Sequence, residues 1–254
     1  MEGKDPKVKS LAKALSVLSC FTTETPDLGV TELAERLGVT KSNIHNILST
    51  FQSMGYIDRR ADGRYTLGLK MLEYAFIINQ NLGYPKAVYD ILADTSQRTG
   101  EIVYFGLPYG TKVLYLYVAH PTDRMGVRPY RDILGETAYY YCTGIGKAIL
   151  AFMPESEWVE RIGDVRPRYQ ANTITDVDAI CEELRKTRQR GYAVDNIERD
   201  PNIRCVGVPV FSGTGKLVAG MSASGPSMSM TDEKLFECAR ILQSAALAMR
   251  ERIY

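Results

Sequence analysis

Residues 29–60, GVTELAERLGVTKSNIHNILSTFQSMGYIDRR, carry the pattern from which the rest of the chain can be read. Leu33, Ala34 and Leu37, then Val39, Ile44, Ile47, Leu48 and Phe51, recur at the three-and-four spacing that keeps side chains on one helix face. Thr31, with Glu32 and Glu35 behind it, suits the N-cap of a first helix, and Thr40 with Ser42 suits that of a second. Between them Gly38 permits the positive φ that ends the first helix and lets the second cross it steeply. Residues 55–60 and 64–67 then read as two strands joined at Asp62-Gly63, a hairpin signal. Two crossed helices followed by a hairpin make a winged helix-turn-helix.

In that geometry the second helix enters the major groove, and its outward polar residues meet base edges and phosphates. Here these are Lys41, Ser42, Asn43, His45, Asn46 and Ser49, with Gln52 at the far end, while Arg59, Arg60 and Arg64 of the wing would reach flanking phosphates. Bulk charge lends no support, since residues 1–66 hold nine Lys or Arg against eight Asp or Glu. Attraction to DNA would rest on a local basic edge from Lys7, Lys9 and Lys41 to the wing arginines. Helix pairs around a glycine also occur in domains that never touch DNA.

With 254 residues and 45% hydrophobic content, the chain can bury a proper core and suits a small domain plus a larger one. A net charge of +1 gives no general attraction to membranes, and no apolar run reaches the roughly 18 residues of a span. No secretory leader is evident, and five cysteines without a close pair argue against a disulfide framework and a zinc site, so a reducing cytoplasm fits.

Residues 8–21 place Leu11, Ala14, Leu15, Leu18 and Phe21 at helical spacing, a third helix behind the pair. Residues 67–82, LGLKMLEYAFIINQNL, predict a helix whose apolar residues spread over more than one face. Such a helix either pairs with a second copy of the chain or lies under its own second domain. The expected division is therefore a DNA-binding domain at 1–66, a linker and dimerisation helix at 67–84, and a larger domain at 85–254. In the last, a helix at 87–98 ends at Gly100, and strands at 102–107 and 112–119 flank a turn at Pro108-Tyr109-Gly110. A further strand is expected at 127–133 and helices at 145–153 and from Pro154. Another helix opens with a capping-box-like Thr175 to Asp178 and ends at Gly191. A hairpin over Ser212 to Gly215 and a final helix capped by Thr231 complete an α+β or α/β half without repeats.

Gly144-Ile145-Gly146-Lys147 at a helix start combines open N–H groups with glycines that allow close approach, which suits a small anion such as a carboxylate or simply a tight packed entry. It is not a Walker loop, because Tyr141 and Ala148 stand where glycine and Ser or Thr belong. With only His45 and His120, and no nucleophile placed beside either, general-base chemistry has little to work with. Asp195, Cys205, Ser222 and Ser224 fall near strand ends, where sheets present side chains to a crevice.

The chain resembles the isocitrate-lyase-regulator (IclR) family of bacterial transcription factors along nearly its whole length. The resemblance is carried by SLAKALSVLSCF (10–21), VTELAERLGVTKSNIHNIL (30–48), GYIDRRADGRYTLGLKML (55–72), TGIGKAILA (143–151), RQRGYAVDNIE (188–198), RCVGVPVF (204–211) and MSASGP (221–226). It implies a winged helix-turn-helix, a linker helix that dimerises it, and a GAF-like α+β domain that binds a small organic, sugar or aromatic acid. It further implies a double-stranded DNA operator, a homodimer or dimer of dimers, and no cofactor, metal, catalytic residue or membrane. The family's effector pocket falls on Gly144, Ile145, Asp195, Ile203, Cys205, Ser222 and Ser224, with Val127, Tyr130 and Ala138 as its apolar wall.

Asp195 can accept from a ligand hydroxyl, and since an ionised Asp195 would repel a carboxylate, the two would address opposite ends of the ligand. Three departures stand out. Asn43 and Asn46 replace the common Thr and Arg, and could favour adenine. Residues 138–142, AYYYC, replace a Pro-Leu-His-like run; strand alternation would put Tyr139 and Tyr141 on one face, as pocket wall or as packing. Asn202 replaces a glycine at the pocket rim. The reading is a ligand-responsive, DNA-binding transcription regulator; the alternative is an acid-binding, enzyme-like domain with an N-terminal interaction module.

Overall fold

The computed structural model describes residues 6–122 and 135–253, which divide into two compact units, 1–82 and 83–254. The strand expected at 127–133, and with it Val127 and Tyr130, lies outside the described residues.

The first unit runs α1 (Lys9–Leu18), β1 (Asp27–Leu28), α2 (Val30–Leu37), α3 (Lys41–Ser53), β2 (Ile57–Arg59), β3 (Tyr65–Leu67) and α4 (Lys70–Leu82). The apolar stripe of the opening stretch is its core: Leu33, Ile44, Leu48 and Ile57 are fully buried with Val17 and Leu28. Gly38 ends α2 at φ 62°, as the sequence demanded. The cap of α2 is Gly29, not Thr31, because the helix already begins at Val30. The Glu32 carboxylate reaches back to accept the Gly29 N–H at 2.7 Å, which is half of a capping box. Thr40 caps α3 as expected, its hydroxyl accepting from the Asn43 N–H at 3.3 Å. Helix α1 stops at Leu18, and Phe21 enters the core from the turn beyond it.

Strand β1 was not evident in the sequence. It pairs with β3, Leu28 opposite Tyr65, and makes the wing a three-stranded sheet. An ionic clamp fixes it: the Arg64 guanidinium bonds the Asp27 carboxylate, donates to the Asp27 carbonyl at 2.9 Å and reaches Glu32 on α2 at 3.0 Å. Arg60 meets the other Asp27 oxygen at 2.9 Å.

Helix α4 starts at Lys70 because Gly68 is pressed onto the wing. A Cβ there would lie 2.3 Å from the Gly55 oxygen, and the Gly68 N–H donates to the Tyr56 carbonyl at 2.8 Å. The Tyr56 and Tyr74 rings stack at 6.0 Å with their hydroxyls 2.7 Å apart, joining the helix to the wing a second time. On α4 Leu72, Phe76, Ile77 and Ile78 are each more than half exposed.

The second unit runs α5 (Tyr84–Thr99), β4 (Ile102–Tyr109), β5 (Lys112–Ala119), β6 (Thr137–Tyr139), α6 (Gly144–Ala151), α7 (Trp158–Ile162), α8 (Val177–Arg190), β7 (Ala193–Asn196), β8 (Ile203–Phe211), β9 (Leu217–Pro226) and α9 (Asp232–Arg250). Its strands form one antiparallel sheet in the order β6-β5-β4-β9-β8-β7, so the unit is α+β, as a GAF-like domain should be. Helices α6, α7 and α8 close one face around Trp158, Ile145, Ile149 and Leu184, while α5 and α9 pack on the other. The β4–β5 turn shrinks to Gly110 and Thr111 because β4 runs through Tyr109. Helix α8 is capped by Asp176, which accepts the Ala179 N–H at 2.9 Å, one residue later than the Thr175 box.

Residues 138–142 overturn the alternation argument. Strand β6 ends at Tyr139 and a 3-10 turn carries Tyr140 to Cys142, all three fully buried. The Tyr139 and Tyr141 rings still meet at 5.7 Å, but the Tyr141 hydroxyl donates to the Pro167 carbonyl at 2.6 Å, so this run is packing. Ala138 sits in the core of the α6 face, opposite Val113.

The entry of α6 rests on β8 with no side chain between them: a Cβ on Gly207 would fall 2.3 Å from the Gly144 oxygen and 2.7 Å from the Ile145 nitrogen. Gly207→Ala is expected to destabilise the second unit by about 1–3 kcal/mol, because the obstruction is backbone and cannot rotate away. Calorimetric melting of the variant against the parent chain measures it.

Candidate functional site

Two surfaces concern function, one in each unit. On α3, Ile44 and Leu48 point into the core, which turns Lys41, Ser42, Asn43, His45, Asn46 and Ser49 to solvent on one face, with Gln52 beyond. Arg59 and Arg60 of the wing are exposed too, though the Arg59 guanidinium lies 5.7 Å over the Tyr65 ring. Arg64 differs: held by Asp27 and Glu32, it has turned inward and braces the wing instead of extending from it.

In the second unit a cavity of about 390 Å³ opens between the α6 entry and the sheet. Alternation on β9 turns Ser222 and Ser224 to this side, β8 adds Ile203 and Cys205, and β7 supplies Asp195 opposite Cys205. Gly144 and Ile145 form the wall at the helix start. Thr143 caps α6, its hydroxyl accepting from the Gly146 N–H at 3.1 Å, so the first two N–H groups of the helix keep no intrahelical partner. Of the eight described residues expected at such a pocket, seven therefore line one cavity and Ala138 does not. Ala138 is excluded because β6 lies at the far edge of the sheet.

Other lining residues escaped the sequence reading. Tyr104 and Tyr115 meet edge to face at 5.6 Å on the cavity floor. Plain alternation would place Tyr115 with Tyr117, but an irregularity in the β4–β5 pairing at Phe105/Gly106 separates them, and Tyr117 packs on Tyr89 across the sheet. Arg199, Asp200, Pro201 and Asn202 come from the β7–β8 loop. Asn202 adopts φ 60°, so it supplies the left-handed backbone that a glycine would, and the rim keeps its course. Ile197 at φ 57° is a strained, β-branched exception in the same loop. The Thr173 hydroxyl and the Asn172 amide pin that loop by donating to the Glu198 and Asn196 carbonyls at 2.6 and 2.8 Å.

The electrostatics of the floor are unusual. Asp195 is 3% exposed, and burial, reinforced by the neighbouring Glu198 carboxylate, pushes its carboxyl up to about 7. One carboxylate oxygen accepts the Glu198 N–H at 2.7 Å. Lys147 is 1% exposed and ion-paired to Glu198, so the lysine of the Gly-Ile-Gly-Lys run is sealed in the core and does not face the cavity. The second Glu198 oxygen is buried without a hydrogen-bond partner. Burial also raises the Cys205 thiol, which leaves it protonated and unreactive.

Residues 80–251 match the description "Bacterial transcriptional regulator IclR C-terminal", and residues 10–61 match "IclR helix-turn-helix domain". The chain belongs to the IclR family. Among IclR relatives, the HTH-type transcriptional regulator KdgR of Escherichia coli is 30% identical over 249 residues, covering 97% of this chain and 93% of its own. The crystal structure of the Thermotoga maritima IclR is 34% identical with a TM-score of 0.72, covering 96% and 98% of the two chains. An IclR homolog from Microbacterium hydrocarbonoxydans, solved with 4-hydroxybenzoate, shares the fold at a TM-score of 0.81 and 20% identity over 96% and 98% of the chains. The chain is thus a DNA-binding transcription regulator with a C-terminal ligand-binding domain.

Asp195 gives a pH signature without any ligand. Its folded-state value lies above that of an exposed carboxyl, so the folded protein holds a proton that the unfolded chain has lost, and stability falls as pH rises from about 4 through about 7. Asp195→Asn is expected to remove this decline. Its melting temperature should gain on the parent's between pH 4 and 7 and then run parallel, as differential scanning calorimetry across that range would record.

Proposed function

We propose that the cavity beneath the α6 entry is the effector site and that it takes a small carboxylic acid. The observation that carries the reading is the convergence of the open N–H groups of Gly144 and Ile145 with the Ser222 and Ser224 hydroxyls around one enclosed space. Helix N-termini and hydroxyls favour an anion, and Asp195 at the floor would address a hydroxyl at the other end of the ligand. The ligand of the Microbacterium relative, 4-hydroxybenzoate, has this bipolar form. With Asp195 half protonated near neutrality, the repulsion expected between it and a ligand carboxylate is weakened.

The DNA contacts are assigned to Lys41, Ser42, Asn43, His45, Asn46 and Ser49, with Arg59 and Arg60 on the flanking backbone and Arg64 as their support. The exposed apolar residues of α4 fit a homodimer that would set two recognition helices in successive major grooves of a near-palindromic operator. The effector then shifts the equilibrium between arrangements of the two halves by binding one of them better. The site of action is the cytoplasm.

A thermal-shift screen of the purified chain against carboxylic, aromatic and sugar acids tests the pocket, since a ligand that binds only the folded state raises the melting temperature. Ser222→Ala is expected to weaken the hit about tenfold, the value of one hydrogen bond to a charged group. For DNA, operator sequences selected from random duplexes by the full chain should be bound at least tenfold less tightly by Asn46→Ala, with the loss confined to particular base pairs. Arg64→Ala should lower the melting temperature of the first unit before it lowers affinity.

A further inference from the structure

The acid-binding reading leaves open which group answers the ligand's charge. Lys147, the basic residue of the Gly-Ile-Gly-Lys run, is not that group, because its ammonium is buried and neutralised by Glu198. The remaining charged groups on the cavity wall are Asp195, Asp200 and Arg199, so an acid enters a space in which carboxyl groups outnumber cations. Arg199 is half-buried, and its guanidinium lies 4.2 Å from the centroid of the Tyr169 ring. Stacking on an aromatic face fixes the plane of the fork while leaving its edge N–H groups available. Among the described residues Arg199 forms no ion pair, although Asp200 lines the same cavity beside it.

We infer that Arg199 is the specificity-determining cation of the cavity: its guanidinium takes the ligand's carboxylate together with the α6 N-terminus, and it makes the site select the anion over an isosteric neutral molecule. Tyr169 is the positioning residue that holds the fork toward the ligand. The inference rests on the acid-binding reading of the cavity and adds the group that enforces it. A lone helix terminus would discriminate charge weakly, whereas a planar fork meets both carboxylate oxygens at once.

The test is calorimetric titration of the full chain with each acid that stabilises it in the screen, and with the matching primary carboxamide. The parent chain is expected to prefer the acid by about 10- to 100-fold, the range of a hydrogen-bonded charge pair. Arg199→Met should reduce that ratio to about threefold or less by weakening the acid alone, with the amide unchanged. Arg199→Lys keeps the charge without the fork and should fall between them. Tyr169→Leu should weaken the acid several-fold and spare the amide, a split that a general loss of packing would not produce. An undiminished acid preference in Arg199→Met overturns the assignment and leaves the α6 terminus as the sole anion site. If no acid binds the parent chain, the cavity reading itself fails, and this assignment with it.

Discussion

Everything on the α6 side of the second unit depends on backbone meeting backbone where Gly144 lies on Gly207. No side chain could stand between them, so the first turn of α6 is set directly on the sheet, with its opening N–H groups held at the height of the β9 serines. Had the helix been spaced off by a normal residue pair, the cavity would be a wide cleft and the serines would face solvent. Further along the same helix Lys147 lies in the core, where Glu198 meets it, and Arg199 stands as a charge on the cavity wall.

The buried charges form a graded series. Lys147 and Glu198 cancel; Asp195, a few residues away on β7, has one N–H for a partner and titrates near neutrality; Asp200 and Arg199 lie on the loop above. Asp195 on the cavity floor is as buried as the paired Lys147 and Glu198, while Asp200 and Arg199 on the loop are only half-buried.

Much of this was legible in the chain. The period of Leu33 to Phe51 and the glycine between gave the crossed helices, whereas Ser222, Ser224, Asp195 and Cys205, each near a strand end, were grouped only by the family resemblance. What escaped was set by tertiary contact. Strand β1 is two residues long and exists because Arg64 grips Asp27, a pairing across 37 positions that no local pattern announces. Tyr115 reached the cavity through a pairing irregularity, which breaks the alternation from which faces are read. The tyrosines at 139–141 looked like one strand by composition, but β6 stops at Tyr139 and a 3-10 turn carries Tyr140 and Tyr141 into the core, which alternation does not announce. Arg199 lay in a loop, where neither period nor cap marks which way a side chain points.

The stack of Tyr56 on Tyr74, with Gly68 wedged against Gly55, welds α4 to the wing. The two elements therefore turn as a single arm. Thirteen residues of helix make a lever of roughly 20 Å, so a swing of about 10° at one end carries the other through about 3.5 Å. That is one step along a DNA strand, at about 3.4 Å per base. A joint that flexed would dissipate such a swing inside the protein; a fixed one would turn an angle into register.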